Sequence, residues 1–182
     1  MRTFKMYLTA FAFATTVILG ACSGRMRAST DVSKSIRKSL DQAGLKDVTV
    51  SQDREKGVVT LGGHVTNDGG KSQAESIAKG IATNEVVADQ IAVMPQGDEA
   101  NAKEVNSDLD KGIEKNVEAA LTESRLQRAV KCDVKNGVVT LTGKVNTESK
   151  RAEVENIASS VPNVQQVVNE VQIKNQKATS TK

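Results

Sequence analysis

Apolar residues recur along this chain at two periods, and the switching between them divides it into two similar halves. Val32, Ile36 and Leu40 fall four apart with Ala43 near the same stripe, which predicts a helix with one apolar face; Thr30 or Asp31 is placed to cap it and Gly44 to end it. Val48 and Val50 then alternate with polar neighbours, Gly57 closes a turn, and residues 58–65 alternate again, so a hairpin follows. After a loop from Asn67 to Gly70, Ala74, Ile77, Ala78 and Ile81 restore the helical period, and Val87, Asp89, Ile91 and Val93 return to a period of two. The order then repeats. Ile113, Val117, Ala120 and Leu121 mark a helix, Val130, Cys132 and Val134 with residues 138–145 a hairpin, Val154, Ile157, Ala158 and Val161 a helix, and Val167, Val171 and Ile173 a last strand.

The repetition extends to identity. Gly57-Val58-Val59-Thr60-Leu61-Gly62-Gly63-His64-Val65 returns 80 residues further on as Gly137-Val138-Val139-Thr140-Leu141-Thr142-Gly143-Lys144-Val145. That spacing exceeds the roughly 20–50 residues of a solenoid or propeller unit, so the chain holds two copies of one α+β module, each α-β-β-α-β. Two helices laid on one face of a three-stranded mixed sheet bury that face and leave the other wet or available to a partner. The modules are expected at 30–94 and 110–174, joined by an acidic linker at 95–109. At about 65 residues each sits near the lower limit for an independent core, so contact between them would add stability.

The ends address the chain to a compartment. Arg2 and Lys5 precede an uncharged stretch from Met6 to Gly20, which reads as a secretory leader over 1–21 and is too short to span a bilayer, a task for about 20 residues. Leu19-Gly20-Ala21-Cys22 resembles the lipobox of bacterial lipoproteins, in which the cysteine is acylated and becomes N-terminal; an ordinary cleaved leader with an incidental cysteine is the alternative. Several acyl chains on Cys22 would anchor the protein through a short tether at 22–29. Ser23, standing where an aspartate signals inner-membrane retention in enteric-type bacteria, favours an outer-membrane address facing the periplasm. The tail at 175–182 is polar.

Removing the leader changes the composition. Phe4, Tyr7, Phe11 and Phe13 are all in it, so the mature chain has no aromatic residue and lacks the usual means of stacking sugars, single-stranded nucleic acid or methylammonium groups. Arg2 and Lys5 leave too, taking the 25 basic residues to 23 against 22 acidic ones, no footprint for nucleic acid.

The repeated Gly-Val-Val-Thr-Leu-x-Gly-x-Val, the helices carrying Ile77-Ala78 and Ile157-Ala158, and the closing Val167-x-Asn169-x-Val171 resemble BON domains over nearly the whole mature chain. The first copy departs from the second at Asn84, opposite Val164, and at Asp89, opposite Asn169. A lipidated pair of BON domains is similar to the DolP-type outer-membrane lipoproteins, whose unlipidated counterpart is the osmotically inducible periplasmic protein. The resemblance implies a non-catalytic envelope protein associated with outer-membrane integrity and osmotic or membrane stress, in which the second domain binds anionic phospholipid and the first supports it.

The residues themselves offer no catalytic constellation. His64 is the only histidine and alternates onto the solvent side of its strand, opposite Lys144 in the other copy; Cys132, between Val130 and Val134, reads as a buried thiol. No nucleophile elbow or metal-ligand spacing occurs, so no enzyme, cofactor, metal or small-molecule substrate is expected. The candidate surface is the first helix of the second module and its exit, where Lys111, Lys115, Arg125, Arg128 and Lys131 gather near Val117 and Leu121. Glu114, Glu118 and Glu123 lie along the same helix and oppose an anionic ligand, and the module is close to neutral. Two readings therefore stand: a lipid-anchored module that binds anionic phospholipid, and a periplasmic protein-interaction or chaperone-like module whose partners are envelope proteins.

Overall fold

Each half folds in the order the pattern predicts in a computed structural model that describes residues 29–174; the leader, the lipobox with Cys22 and the 175–182 tail lie outside the described residues. The first module comprises α1 (Ser33–Gln42), β1 (Val48–Asp53), β2 (Val58–Val65), α2 (Asp68–Ile81), β3 (Val86–Asp89) and β4 (Ala92–Val93). The second comprises α3 (Glu99–Glu123), β5 (Val130–Lys135), β6 (Val138–Val145), α4 (Glu148–Ser159) and β7 (Gln166–Ile173). In both, the hairpin is antiparallel and the last strand lies parallel to the middle one, so the sheets are mixed. The expected single strand through Val93 is broken into β3 and β4, both on β2, whereas β7 runs unbroken along β6.

Local chemistry fixes the ends of the elements. Asn67 and Thr147 accept from the backbone N–H three residues on and so cap α2 and α4, which places Gly69 and Gly70 in the first turn of α2 and not in a loop. Asn136 and Gly137 both take positive φ, the two-residue turn that matches strand twist, and the Asp110 carboxylate accepts from both of their N–H groups at 2.7 and 2.9 Å. Ile36, Leu40, Val59, Leu61, Ala74 and Ala78 form the core of the first module; Ile113, Val117, Leu121, Val139, Leu141 and Val154 do so in the second.

One expectation changes. The linker is not an irregular spacer: residues from Glu99 onward form the first turns of α3, one 25-residue helix that runs into the second core. Between Gly97 and Gly112, Glu99, Ala100, Ala102, Lys103, Glu104, Leu109 and Lys111 are good helix formers with no proline or glycine among them, and a reading by net charge alone passes over that propensity. The sheet faces turned away from the helices take the second course the pattern allows, contact with a partner, and the partner is the other module. Val58 and Ala88 of one module pack with Val138 and Val168 of the other, so each module partly covers its neighbour's open face.

Candidate functional site

The predicted basic surface is only partly assembled. Val117 and Leu121 are 0 % and 1 % exposed, because they share the stripe of Ile113 and fill the core; neither reaches a ligand at the surface. Lys111 is paired with Asp108 at 3.0 Å. Lys131 alternates with Val130 and Cys132, which face the helices, and therefore lies on the other side of the sheet. Lys115, Arg125 and Arg128 remain exposed and make no ion pair among the described residues, with Lys115 about 15 Å along the helix axis from Arg125. Arg125 holds a left-handed φ of 57° just past α3, where Leu126 N–H returns to the Leu121 carbonyl; Gly44 does the same after α1.

Cys132 is half-buried, and burial, helped by the Glu118 and Glu114 carboxylates, pushes its thiol up to about 11. It is protonated and unreactive at neutral pH. His64 is exposed, and no group of three or more acidic, histidine or cysteine side chains suited to a metal occurs among the described residues.

The better-built polar feature is the junction between modules, which the sequence pattern does not announce. Gln166 lays its amide along the edge of β3, donating to the Val87 carbonyl at 2.7 Å and accepting from Asp89 N–H at 3.0 Å. Asn136 donates to the Gln90 carbonyl at 2.8 Å, and Lys56 pairs with the mostly buried Glu170 at 2.7 Å. A cleft of about 860 Å³ lies beside this junction, lined by α2, α3 and the loop before β7 and including Lys71, Glu75 and Asp89. The one legible signal was a departure from the repeat: Gln166 stands where the first copy has Val86.

Asp89 is the buried charge of the junction, 8 % exposed. Its counterpart Asn169 accepts from Val171 N–H and donates to the Arg151 carbonyl and the Glu155 carboxylate; Asp89 accepts from Ile91 N–H but has no amide hydrogen to donate. Burial raises its pKa above the ordinary 3.8, with Glu75 adding to the effect and Lys71, Lys79 and the Ile91 N–H opposing it. The folded chain therefore holds this proton more tightly than the unfolded one, and the carboxylate's contribution to stability falls as pH rises from about 3.8 through the raised value. Asp89→Asn, which removes the desolvated charge, is expected to stabilise the chain by about 1 kcal/mol at pH 7, the scale of one buried hydrogen bond, and by little at pH 3, as thermal melts at the two pH values would record.

Two copies of the same α-β-β-α-β unit are matched by one family description, the BON domain, over residues 28–95 and 109–175. The chain belongs to the BON-domain family. A curated relative of this BON protein, Osmotically-inducible protein Y of Escherichia coli (strain K12), is 27 % identical over 135 residues, which make up 74 % of this chain and 67 % of that one. Among solved structures, two of CdsD, a structural protein of the type III secretion system of Chlamydia trachomatis, align at 16 % identity. The C-terminal-domain structure has a TM-score of 0.34 over 81 % of this chain and 99 % of that one; the other has 0.35 over 80 % and 93 %. At those scores the BON pair gains nothing from the alignment.

Proposed function

We propose that this tandem BON protein is a non-catalytic component of the bacterial envelope, held at the outer membrane by an acylated Cys22, that engages anionic phospholipid and supports the envelope under osmotic stress. The relationship to Osmotically-inducible protein Y supports the stress role, and the Leu19–Cys22 lipobox supports the membrane address. The observation that carries the phospholipid contact is the exit of α3, where Arg125 and Arg128 stand exposed without an acidic partner among the described residues and Lys115 adds a third charge. Each basic residue near an anionic surface contributes on the order of 1 kcal/mol, so a few side chains suffice for a contact that a lipid anchor holds in place. Among the described residues no helix is long and apolar enough to cross a membrane.

The chain from Ser23 onward, free of the anchor, is expected to co-sediment with phosphatidylglycerol vesicles, to release as salt is raised, and to bind less after K115E/R125E/R128E. Equal sedimentation with neutral phosphatidylcholine vesicles would overturn the reading. The protein-interaction reading is favoured by Glu114, Glu118 and Glu123 on the same helix, which repel an anionic surface. It predicts that crosslinking in cells recovers envelope proteins through surfaces that K115E/R125E/R128E leaves intact.

A further inference from the structure

We infer that the groove between α1 and β1 of the first BON domain is a second docking surface for an anionic phospholipid bilayer. The groove, about 360 Å³, is lined by Ser33, Lys34, Arg37, Lys38 and Asp41 with Val50 at its floor. Lys34 and Lys38 are exposed and Arg37 half-buried, and none of the three makes an ion pair among the described residues. Spaced at i, i+3 and i+4, they share one helix face.

The two modules differ most at this place. Superposing the core stripes, Val32, Ile36 and Leu40 on Ile113, Val117 and Leu121, sets Lys34, Arg37 and Lys38 opposite Lys115, Glu118 and Ala119. Three cations in the first domain thus correspond to one cation and one acid in the second. Along α1 the only acid is Asp41, whereas Glu114, Glu118 and Glu123 follow the matching stretch of α3.

Position decides the occupant. Ser29 is pinned to the first hairpin, its N–H donating to the Arg54 carbonyl at 2.9 Å and its carbonyl accepting from Arg54 Nε at 2.6 Å, and α1 begins four residues later. Six residues lie between Cys22 and Ser29, so an acyl anchor there keeps Ser29, four residues before α1, within about 25 Å of the bilayer. A basic groove tethered this close to an anionic leaflet meets it at high effective concentration. The inference rests on the membrane reading above and changes which domain leads the contact.

The test uses the chain from Ser23 onward, which contains every described residue, with vesicles of mixed phosphatidylglycerol and phosphatidylcholine and of phosphatidylcholine alone. K34E/R37E/K38E is expected to lower partitioning onto the anionic vesicles by about tenfold or more, and the neutral variant K34Q/R37Q/K38Q by a smaller factor in the same direction, while both keep the wild-type circular dichroism and melting temperature. Wild-type affinity in K34Q/R37Q/K38Q together with salt-sensitive binding of the unaltered chain would overturn the α1 groove and leave the membrane reading standing. No binding of the unaltered chain to the anionic vesicles would remove both.

Discussion

Gly143→Ala is expected to leave the second BON domain largely unfolded while the first keeps its core. Gly143 has a φ of 141°, and a Cβ built on it would fall far inside van der Waals contact of the Ala129 carbonyl oxygen and press on the Val130 backbone. Both obstacles are main chain at the start of β5, which pairs with Gly143 itself, so no side-chain rotation relieves them. The close approach has a purpose: it lets Lys144 N–H reach back to the same Ala129 carbonyl at 3.1 Å, bending the strand over the helices. Gly63 repeats the arrangement against Asp47, with His64 N–H as the donor. A strained backbone and a clash of this kind together cost about 3–5 kcal/mol, comparable with the whole stability of a domain of this size, about 3–10 kcal/mol. Amide exchange read residue by residue should show protection lost across β5–β7 and retained in β1–β3. Retained protection in β5 would show that the strand can move aside. Gly112→Ala is the control: within α3, with open space where the Cβ goes, it should stabilise the chain by about 0.5–1 kcal/mol.

Val168→Asp should separate the two domains without unfolding either. Val168 is 1 % exposed yet belongs to neither helix-covered core; it is buried against Val58, Ala88 and Val138 across the junction. A carboxylate there costs about 3–5 kcal/mol if the junction stays closed, because nothing apolar in that group pairs with it. Opening the junction rehydrates the charge at the expense of the apolar contact and of the hydrogen bonds of Gln166 and Asn136, so the modules part and each retains its own core. Calorimetry should then resolve two transitions where the unaltered chain gives one, and small-angle scattering should report a larger radius. A single transition lowered in temperature would mean that the cores depend on the junction.

The elements were legible because valine, isoleucine, leucine and alanine supply nearly all the apolar volume of the mature chain, so each core face had to repeat at the period of its element. Ile36 and Leu40, or Val139 and Leu141, could go nowhere else, and they are buried. What escaped was whatever depends on two distant segments at once. Val58 and Val138 fall on the polar side of their strands beside Thr60 and Thr140, and only the approach of the other module makes them core. Sequence proximity groups Val117 and Leu121 with nearby cations, although the 3–4 spacing that marks the helix assigns them to its inner face. A whole-chain balance near neutral hides the basic groove of α1, and the local excess is visible only when the two copies are aligned on their cores.

The apolar contact between the domains joins equivalent positions: Val58 and Val138 are the same residue of the repeat, as are Ala88 and Val168. It is the contact of a symmetric dimer written into one polypeptide, with α3 as the covalent strap. Isologous contacts close on themselves. Within one chain this patch meets its own complement, so a single copy expressed alone would be left with an open apolar face seeking a twin.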